Sequence, residues 1–596
     1  MHLLGFFALI LPGITSWFGF ELLRFISKGK LTVMEMIGGA FPVGFSICAI
    51  IGLTINIIFG CTFVHYIMHN VFFGVLAAAL FAVNRKKKIK FNKTKLITKI
   101  IFVAIIPLFY YISTYIFPYK GHINKYCEDE MYLEVSLISS FSKGENKWRG
   151  FIRGVRNPLV SNTLLWSEFI PPFYCGLLKS AGMAISKTVT FTTFLFLVSL
   201  FYLQYSLTYR FTNSEFAALL AVPAVLFAGG FHFYDVISQW SNQDKCFDFI
   251  SNFGGQDSVT WGHPFMGAFM SSRVNLLSST LAILAYIFAL QNFQTFGGIL
   301  VVIIQIARPQ NGFFAALAFV LIKIEKIQER VVFFALNALL LFIQGLRPKF
   351  ITPLWNTGYT KFSIFPPLAF LISIFGVFNI GLLLSIAAHR YYELGICTFM
   401  FLIICHINFQ NLARYNFAIA VSVIYPLLMS VSYIGFMYLP QKFKNIQMKG
   451  FLYGLLSFIT IIGCSSAFFG IYFNFKLSHS IWEDDETELE EWFLANSSRT
   501  DHILVDPTIS WFSGVTRAGR SIYYTKLSSL TFLNTNLDSR FTDIEEFLKT
   551  KGPVADIKFI VYKGGSAWEK SLSHDFIKYF MLEWKNDAYN ILSYLN

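Results

Sequence analysis

The sequence predicts a polytopic α-helical membrane protein with a small C-terminal α/β domain on the non-cytoplasmic side. Hydrophobic residues make up 55% of the 596-residue chain and charged residues only 14%, about half the share found in an ordinary soluble domain. Long apolar runs recur almost from end to end, and only the last segment is rich in charge. We therefore expect about 14 transmembrane helices followed by one folded tail.

The apolar runs give the order of the predicted helices. A spanning helix needs about 20 apolar residues, and several of the middle runs are shorter than that. The runs are Leu3–Phe20, Met36–Phe59, Thr62–Val83, Ile100–Phe117, Thr188–Tyr209, Phe216–Phe231, Val274–Leu290, Gly297–Ile306, Phe313–Ile322, Val331–Ile343, Ile364–Ala388, Leu394–Ile407, Phe417–Leu439 and Phe451–Phe475. They divide the chain into N-terminal helices (1–117), a first large outer segment (118–187), a transmembrane core (188–475) and a soluble tail (476–596).

Basic residues indicate how the chain crosses the membrane. The net charge of +14 comes from Lys and Arg in short loops, which is how cytoplasmic loops record orientation. We therefore expect membrane lipids, and no nucleic acid, as surroundings. With the N-terminus outside, the segments 119–186, 232–273, 307–312, 344–363, 408–416 and everything after Phe475 fall on the outer face. The acid-rich segment and the tail are thus predicted to share one side of the membrane.

The tail has the pattern of a small α/β domain. Asp484–Asn496 predicts an amphipathic helix with Leu489, Trp492 and Phe493 on one side. Short strands are predicted at 502–506, 521–524 and 557–562, and a second helix at 543–551. Asn496 begins the tripeptide Asn-Ser-Ser, a glycosylation acceptor sequence on the predicted outer side.

Four carboxylates stand close together where the fourth apolar run leaves the membrane, in Cys127-Glu128-Asp129-Glu130-Met131-Tyr132-Leu133-Glu134. In the functional interpretation, Asp129 with Glu130 or Glu128 deprotonates an acceptor hydroxyl. Glu128 and Glu130 would alternatively hold Mg²⁺ or Mn²⁺ through oxygen ligands. The structural alternative is a solvated helix start, because acids are favoured at helix N-termini.

Lys and Arg are normally enriched in cytoplasmic loops, so cations in the predicted outer segments need another explanation. The candidates in or beside the later outer segments are Arg273, His263, Arg308, Arg347 and Arg414, with Asp235 as a second acidic candidate. A guanidinium binds two phosphate oxygens at once and stabilises negative charge as it develops. These residues therefore predict a site for an anionic leaving group. The alternative is helix capping for Arg308, Arg347 and Arg414 and ordinary loop solvation for His263 and Asp235, whereas Arg273 stands at the mouth of an apolar run, where a charge must snorkel or be paired.

The outer-side cysteines allow one disulfide, between Cys127 and Cys175, although no spacing rule fixes that pair. No pair of His or Cys residues has the spacing of zinc ligands.

The chain resembles the C-type glycosyltransferase superfamily, multipass enzymes that move a sugar from a polyprenyl-phosphate carrier to an acceptor on the lumenal or periplasmic face. The resemblance is carried by Leu11-Pro12-Gly13 with Glu35 and Phe41-Pro42-Val43-Gly44, by Glu128-Asp129-Glu130, by Trp261-Gly262-His263-Pro264 with Arg273 and Arg308-Pro309-Gln310-Asn311, and by Glu491–Asn496 with 502–507 and 557–562. Four apolar runs precede the acidic segment here, where superfamily members often have one.

The resemblance implies an inverting sugar transfer with Asp129 or Glu130 as general base. Arg273, Arg308 or Arg347 would then hold the departing phosphate. It also implies a polyprenyl-phosphate sugar donor and a separate acceptor as substrates. The expected location is the endoplasmic reticulum membrane in a eukaryote, or the inner or plasma membrane in a bacterium.

Two functions of other classes remain open on the sequence. A transporter or flippase for a lipid-linked or anionic solute would have ionisable residues at mid-membrane and paired broken helices. A structural subunit of a larger membrane complex would have outer acids that do not converge. Convergence of the outer carboxylates and cations is therefore the observation that separates these functions from the enzyme.

Overall fold

The computed structural model describes residues 7–87, 89–90, 95–118, 121–124, 127–228, 269–322, 327–344, 349–350, 375–408, 422–475, 478–482, 484–509, 511–524, 540, 542–544, 546, 557–572 and 580–594. Each predicted apolar run overlaps an observed helix within this part of the chain. The predicted order of the helices is therefore reproduced.

Most of the described chain is helical. The long helices of the first half are α1 (Ile10–Ser27), α2 (Val33–Phe59), α3 (Phe63–Asn84), α4 (Leu96–Ser113), α5 (Glu128–Lys143), α6 (Ile170–Ser180), α7 (Ile185–Thr212) and α8 (Glu215–Phe227). Those of the second half are α9 (Arg273–Leu290), α10 (Gln294–Ala307), α11 (Pro309–Leu321), α12 (Ile327–Ile343), α13 (Phe378–Ala387), α14 (Tyr391–His406), α15 (Tyr425–Lys442) and α16 (Ile446–Phe475).

Five helices of the described chain are long and apolar enough to cross a membrane: Val33–Phe59, Phe63–Asn84, Ile185–Thr212, Arg273–Leu290 and Ile446–Ser465. Together with the composition, they support an integral membrane protein. Several other apolar helices have only 10–17 residues, so the predicted number of about 14 spans is not confirmed. Helix α9 is the most enclosed of the five, because 94% of its residues are buried inside the protein. It forms the centre of the bundle.

Helices α10 and α11 form a hairpin whose turn is a single residue, Arg308. Pro309 disfavours helical geometry in the residue before it, and Arg308 is accordingly extended, with φ −151° and ψ 104°. The two helices then approach closely, because Gly312 lies where an added Cβ would come within 2.3 Å of the Gln305 Cα. The hairpin thus holds Arg308 at one end of the bundle.

The first outer segment and the tail meet on one face of the protein. Strand β1 (His122–Asn124) pairs antiparallel with strand β6 (Ser478–Ser480), just after the last helix of the bundle. The Lys143 Nζ also lies 2.8 Å from the Glu490 Oε1 of the tail. The Arg24 Nη2 donates to the Lys87 carbonyl oxygen at 2.9 Å, which joins the end of α1 to the segment after α3.

The tail contains a mixed five-stranded sheet in the order β10-β11-β9-β7-β8. Its strands are β7 (His502–Val505), β8 (Ser521–Ile522), β9 (Ile557–Lys563), β10 (Phe580–Lys585) and β11 (Tyr589–Tyr594). Strands β7, β8 and β9 are parallel, whereas β9, β11 and β10 are antiparallel. Helix α17 (Asp484–Asn496) packs on the tail through Leu489 and Phe493, which are fully buried.

Candidate functional site

A buried ion pair links the acidic outer helix to the central helix of the bundle. The Arg273 guanidinium contacts both carboxylate oxygens of Glu134 through Nε and Nη2. Arg273 is 0% exposed and stands at the first turn of α9, where the helix dipole disfavours a cation. The Glu134 carboxylate offsets that unfavourable position, and the pair fixes α5 against α9.

A second buried cation is held at the turn of the helical hairpin. Arg308 is 1% exposed, and its Nη1 donates to the Asn275 Oδ1 at 2.6 Å. The Asn311 amide donates to the same oxygen at 3.2 Å. The Arg308 Nε lies 3.3 Å from the Glu168 Oε1. Glu168 belongs to the first outer segment, so this pair also joins that segment to the core.

Glu168 is held in an uncommon backbone conformation. Its φ is +68°, the left-handed region that ordinary side chains rarely adopt. The Glu168 N–H donates to the Ala307 carbonyl oxygen at 3.0 Å, which places the strained residue directly on the Arg308 turn. The Glu168 Oε1 makes the ion-pair contact with the Arg308 Nε but accepts no hydrogen bond from the described residues. Strain of this kind is concentrated at functional sites, where the surrounding structure maintains it.

Burial raises the pKa of Glu168 to about 7. The Arg308 guanidinium opposes this rise, and the negative charges of Glu130 and Glu134 add to it. A carboxyl group with this pKa exchanges a proton near neutral pH, as a general base or acid requires. The cluster therefore combines one proton-exchanging carboxyl group with two buried guanidinium groups.

Glu130 reaches the same cluster from the first turn of α5. Its Oε2 accepts a hydrogen bond from the Ser271 hydroxyl at 3.0 Å, two residues before Arg273. The cluster thus draws its carboxylates from the first outer segment and its cations from a helix and a turn more than a hundred residues later. Convergence of this kind is what the enzymatic interpretation of the sequence requires.

The predicted site residues divide into two groups. Glu130, Arg273 and Arg308 lie in the cluster, together with two acids that were not among the predicted site residues, Glu134 and Glu168. Asp129 occupies the first turn of α5, and its side chain lies outside the described residues, as do Asp235, His263, Arg347 and Arg414. The roles assigned to those five residues remain predictions.

One sequence signal marks Glu168. It is the only acidic residue between Glu145 and Glu215, in a stretch of aromatic and proline residues. An isolated acid in apolar surroundings is a candidate for a perturbed pKa. The pairing of Glu168 with Arg308 has no sequence signal, because it depends on how two distant turns pack.

The predicted disulfide between Cys127 and Cys175 is wrong. Both residues are free, buried thiols. The Cys175 Sγ lies 3.7 Å from the Thr192 hydroxyl of α7, so it packs against a neighbouring helix. Burial raises the pKa of each thiol to about 12. These cysteines act as small core residues, like those in the membrane helices.

The predicted divalent cation does not fit the part of the cluster that the structure describes. No group of three His, Cys, Asp or Glu side chains within these residues is placed to hold a metal ion. Glu134 faces Arg273 and Glu168 faces Arg308, which leaves Glu130 as the carboxylate without a guanidinium beside it in the cluster. Mg²⁺ or Mn²⁺ bound by Glu128 and Glu130 therefore remains a prediction, and we assign no chemical step to it.

Comparison with known proteins identifies no sequence relative. No family model matches the chain, and no curated protein matches it. Among solved structures, it is similar to the apo crystal structure of the oligosaccharyltransferase of Archaeoglobus fulgidus, with a TM-score of 0.45 and 10% identity. That alignment covers 79% of this chain and 70% of the other. Similarity at this level leaves the residues of the cluster as the basis for a functional proposal.

Proposed function

We propose that this protein is an integral membrane glycosyltransferase that moves a sugar from a polyprenyl-phosphate carrier to an acceptor on the non-cytoplasmic face. The observation that carries the proposal is the buried Glu168–Arg308 pair beside Glu134–Arg273. One carboxyl group exchanges protons near neutrality, and two guanidinium groups supply fixed positive charge in a site of low polarity. Sugar transfer from a phosphate carrier needs both.

The proposed step transfers one sugar from the phosphate carrier to an acceptor hydroxyl group. An acceptor hydroxyl oxygen attacks the anomeric carbon and forms the new glycosidic bond, while the bond from that carbon to the phosphate oxygen breaks. The hydroxyl proton passes to the Glu168 carboxylate, and the bonding electron pair leaves with polyprenyl phosphate. The phosphate gains one negative charge, which Arg308 stabilises once Glu168 has become neutral.

Glu168 replaces Asp129 as our first candidate for the general base, because the Glu168 carboxyl group has a described position beside a cation. Asp129 and Glu130 lie in the first turn of α5, near enough in sequence to Glu134 to contribute to the same site. Glu130 is bound to Ser271, next to Arg273 in sequence. We therefore assign acceptor or donor positioning to Glu130 and retain Asp129 as a second base candidate.

Donor turnover tests the proposal directly. The purified full-length protein in lipid nanodiscs is incubated with polyprenyl-phosphate mannose or polyprenyl-phosphate glucose, and release of polyprenyl phosphate is measured. We expect turnover by the native protein and a loss of at least about a hundredfold in Glu168→Gln. Glu145→Gln is the matched control, because Glu145 is a buried acid of the same segment that pairs with Arg156 away from the cluster.

Three outcomes would count against the proposal or part of it. Full turnover in Glu168→Gln together with loss in Asp129→Asn would move the base to Asp129, and full turnover in both would remove the cluster from catalysis. Transport of an intact lipid-linked sugar across a liposome membrane, with the sugar–phosphate bond unbroken, would favour the transporter instead.

A further inference from the structure

A cleft of about 880 Å³ lies between the tail domain and the first outer segment. Its volume is within the range of small-ligand clefts, about 300–1,000 Å³. None of its lining residues belongs to the acid–guanidinium cluster. One wall is the hairpin of β2 (Val155–Arg156) and β3 (Leu164–Leu165), and the other is the end of α17 with strands β9, β10 and β11.

Trp492 supplies an oriented aromatic surface in this cleft. Its ring packs edge-to-face against Phe559 at a centroid distance of 5.4 Å and lies 6.5 Å from the ring of Trp584. The indole is half-buried and also lines the cleft. Its position is therefore fixed by the sheet beneath it, while part of its surface remains available to a ligand.

Most of the other lining residues are polar and carry both signs of charge, while Ile557, Phe559 and Met581 are apolar. Arg156 and Lys558 are balanced by Asp501 and Glu583, and the Lys558 Nζ lies 3.1 Å from the Asp501 Oδ2. Amide and hydroxyl groups also line the cleft, at Asn162 and Ser593 among others. The balance of charge does not favour a strongly anionic ligand, and the polar walls do not favour a lipid tail.

We propose that this cleft binds neutral carbohydrate, with one sugar ring stacked on Trp492. A sugar ring has an apolar C–H face that matches the indole, and each of its hydroxyl groups can both donate and accept hydrogen bonds. Carboxylates accept those bonds, guanidinium and ammonium groups donate them, and amides do both. An uncharged, hydroxyl-rich ligand is the class that satisfies such a set without an uncompensated charge.

The cleft is joined to the candidate active site through the chain itself. Strand β3 ends at Leu165, three residues before Glu168. A glycan held against Arg156 and Asn162 would therefore contact the same outer segment that carries the proposed base. This carbohydrate site goes beyond sugar transfer, because it predicts binding of a free glycan in the absence of any sugar donor.

Glycan binding by the full-length protein in lipid nanodiscs tests the proposal. The probes are maltohexaose, chitohexaose and a linear mannohexaose, followed by saturation-transfer NMR. We expect at least one to bind, and Trp492→Ala to weaken its affinity about tenfold or more. Trp166→Ala is the matched control, because Trp166 is exposed on the first outer segment and does not line the cleft.

Glu583→Gln provides a second test that does not disturb the core, since Glu583 is exposed on β10. This substitution should weaken the affinity for the same oligosaccharide, whereas the Glu168→Gln variant should bind that oligosaccharide as the native protein does. Absence of transfer by the native protein, with glycan binding retained, would thus count against the proposed function only. The carbohydrate site is overturned if none of the three oligosaccharides binds or if neither cleft variant weakens binding. Inositol hexakisphosphate and a serine-rich peptide are added as non-carbohydrate probes, and binding of either one without any oligosaccharide would also overturn it.

Discussion

Arg273 and Glu134 form a bidentate ion pair across 139 residues of sequence, with the guanidinium fully buried. The pair joins the first outer helix to the central helix of the bundle. Breaking a buried pair by removing one partner leaves an uncompensated charge and costs about 3–5 kcal/mol. The geometry of the cluster therefore depends on both residues, and substitutions that preserve charge are the more informative ones.

Arg273→Lys keeps the positive charge and removes the two-pronged contact with Glu134. We expect donor turnover to fall by about a hundredfold and the melting temperature to fall as well. The control is Arg210→Lys, because Arg210 contacts both oxygens of Glu35 in the same bidentate manner away from the cluster. Equal turnover losses in the two variants would indicate a general effect of destabilisation and no specific role for Arg273.

Glu168 should make the stability of the protein depend on pH near neutrality. Its pKa in the folded protein is raised to about 7, so the folded state prefers the neutral carboxyl group. Stability from this group is fully present below about pH 4.5 and is lost as pH rises through 7. Thermal unfolding between pH 5 and pH 8 should show this loss in the native protein, up to roughly 3 kcal/mol, and not in Glu168→Gln. A parallel pH dependence in both proteins would contradict the raised pKa.

Lys179 lies where the first outer segment meets the tail, and it should make stability depend on pH in the opposite direction. Its ammonium group donates to the Ser139 hydroxyl at 3.0 Å. Burial lowers the pKa of Lys179 to about 7, with the charge of Lys143 acting in the same direction. A lowered pKa means that stability is lost as pH falls toward 7. The melting temperature of Lys179→Met should therefore rise relative to that of the native protein as pH falls from 9 to 6.

Lys143→Met is the comparison for that experiment, because the Lys143 ammonium group pairs with Glu490 and is partly exposed. We expect it to lower stability modestly, since an exposed pair contributes about 0–1 kcal/mol. If the melting temperature of Lys143→Met rose as much as that of Lys179→Met, removal of any cation would stabilise this interface.

Cys127 and Cys175 should be inert in the native protein. Burial raises both thiol pKa values to about 12, and the thiolate is the form that reacts. We expect iodoacetamide to leave both residues unmodified under native conditions and to modify both after unfolding, as read by peptide mass spectrometry. Recovery of a Cys127–Cys175 linked peptide without reduction would contradict the free thiols.

The sequence was informative about elements and less so about their contacts. Apolar runs predict helices because hydrophobicity along a helix is a local property, and each run overlaps a helix. Arg273 and Arg308 could be selected because charges at the ends of apolar runs are costly unless paired. Their partners Glu134 and Glu168 could not be assigned, because those pairs depend on the packing of α5 on α9 and of one turn on another.

The tail shows the same limit. Strand β9 is a strongly apolar, β-branched run and was predicted at 557–562. Strands β10 and β11 were not predicted, because Phe580–Lys585 contains charged residues on its exposed face and interrupts the expected pattern. Strand β10 is an edge of the sheet, where one side faces solvent and alternation is less regular.

The pairing of β1 with β6 determines when the outer face can be completed during synthesis. His122–Asn124 leaves the ribosome long before Ser478–Ser480, with the whole helical core between them. Contacts this distant in sequence form late, because a long loop must close first. A nascent chain arrested anywhere in the core would expose an unpaired strand beside the acidic helix until Ser478–Ser480 has been synthesised.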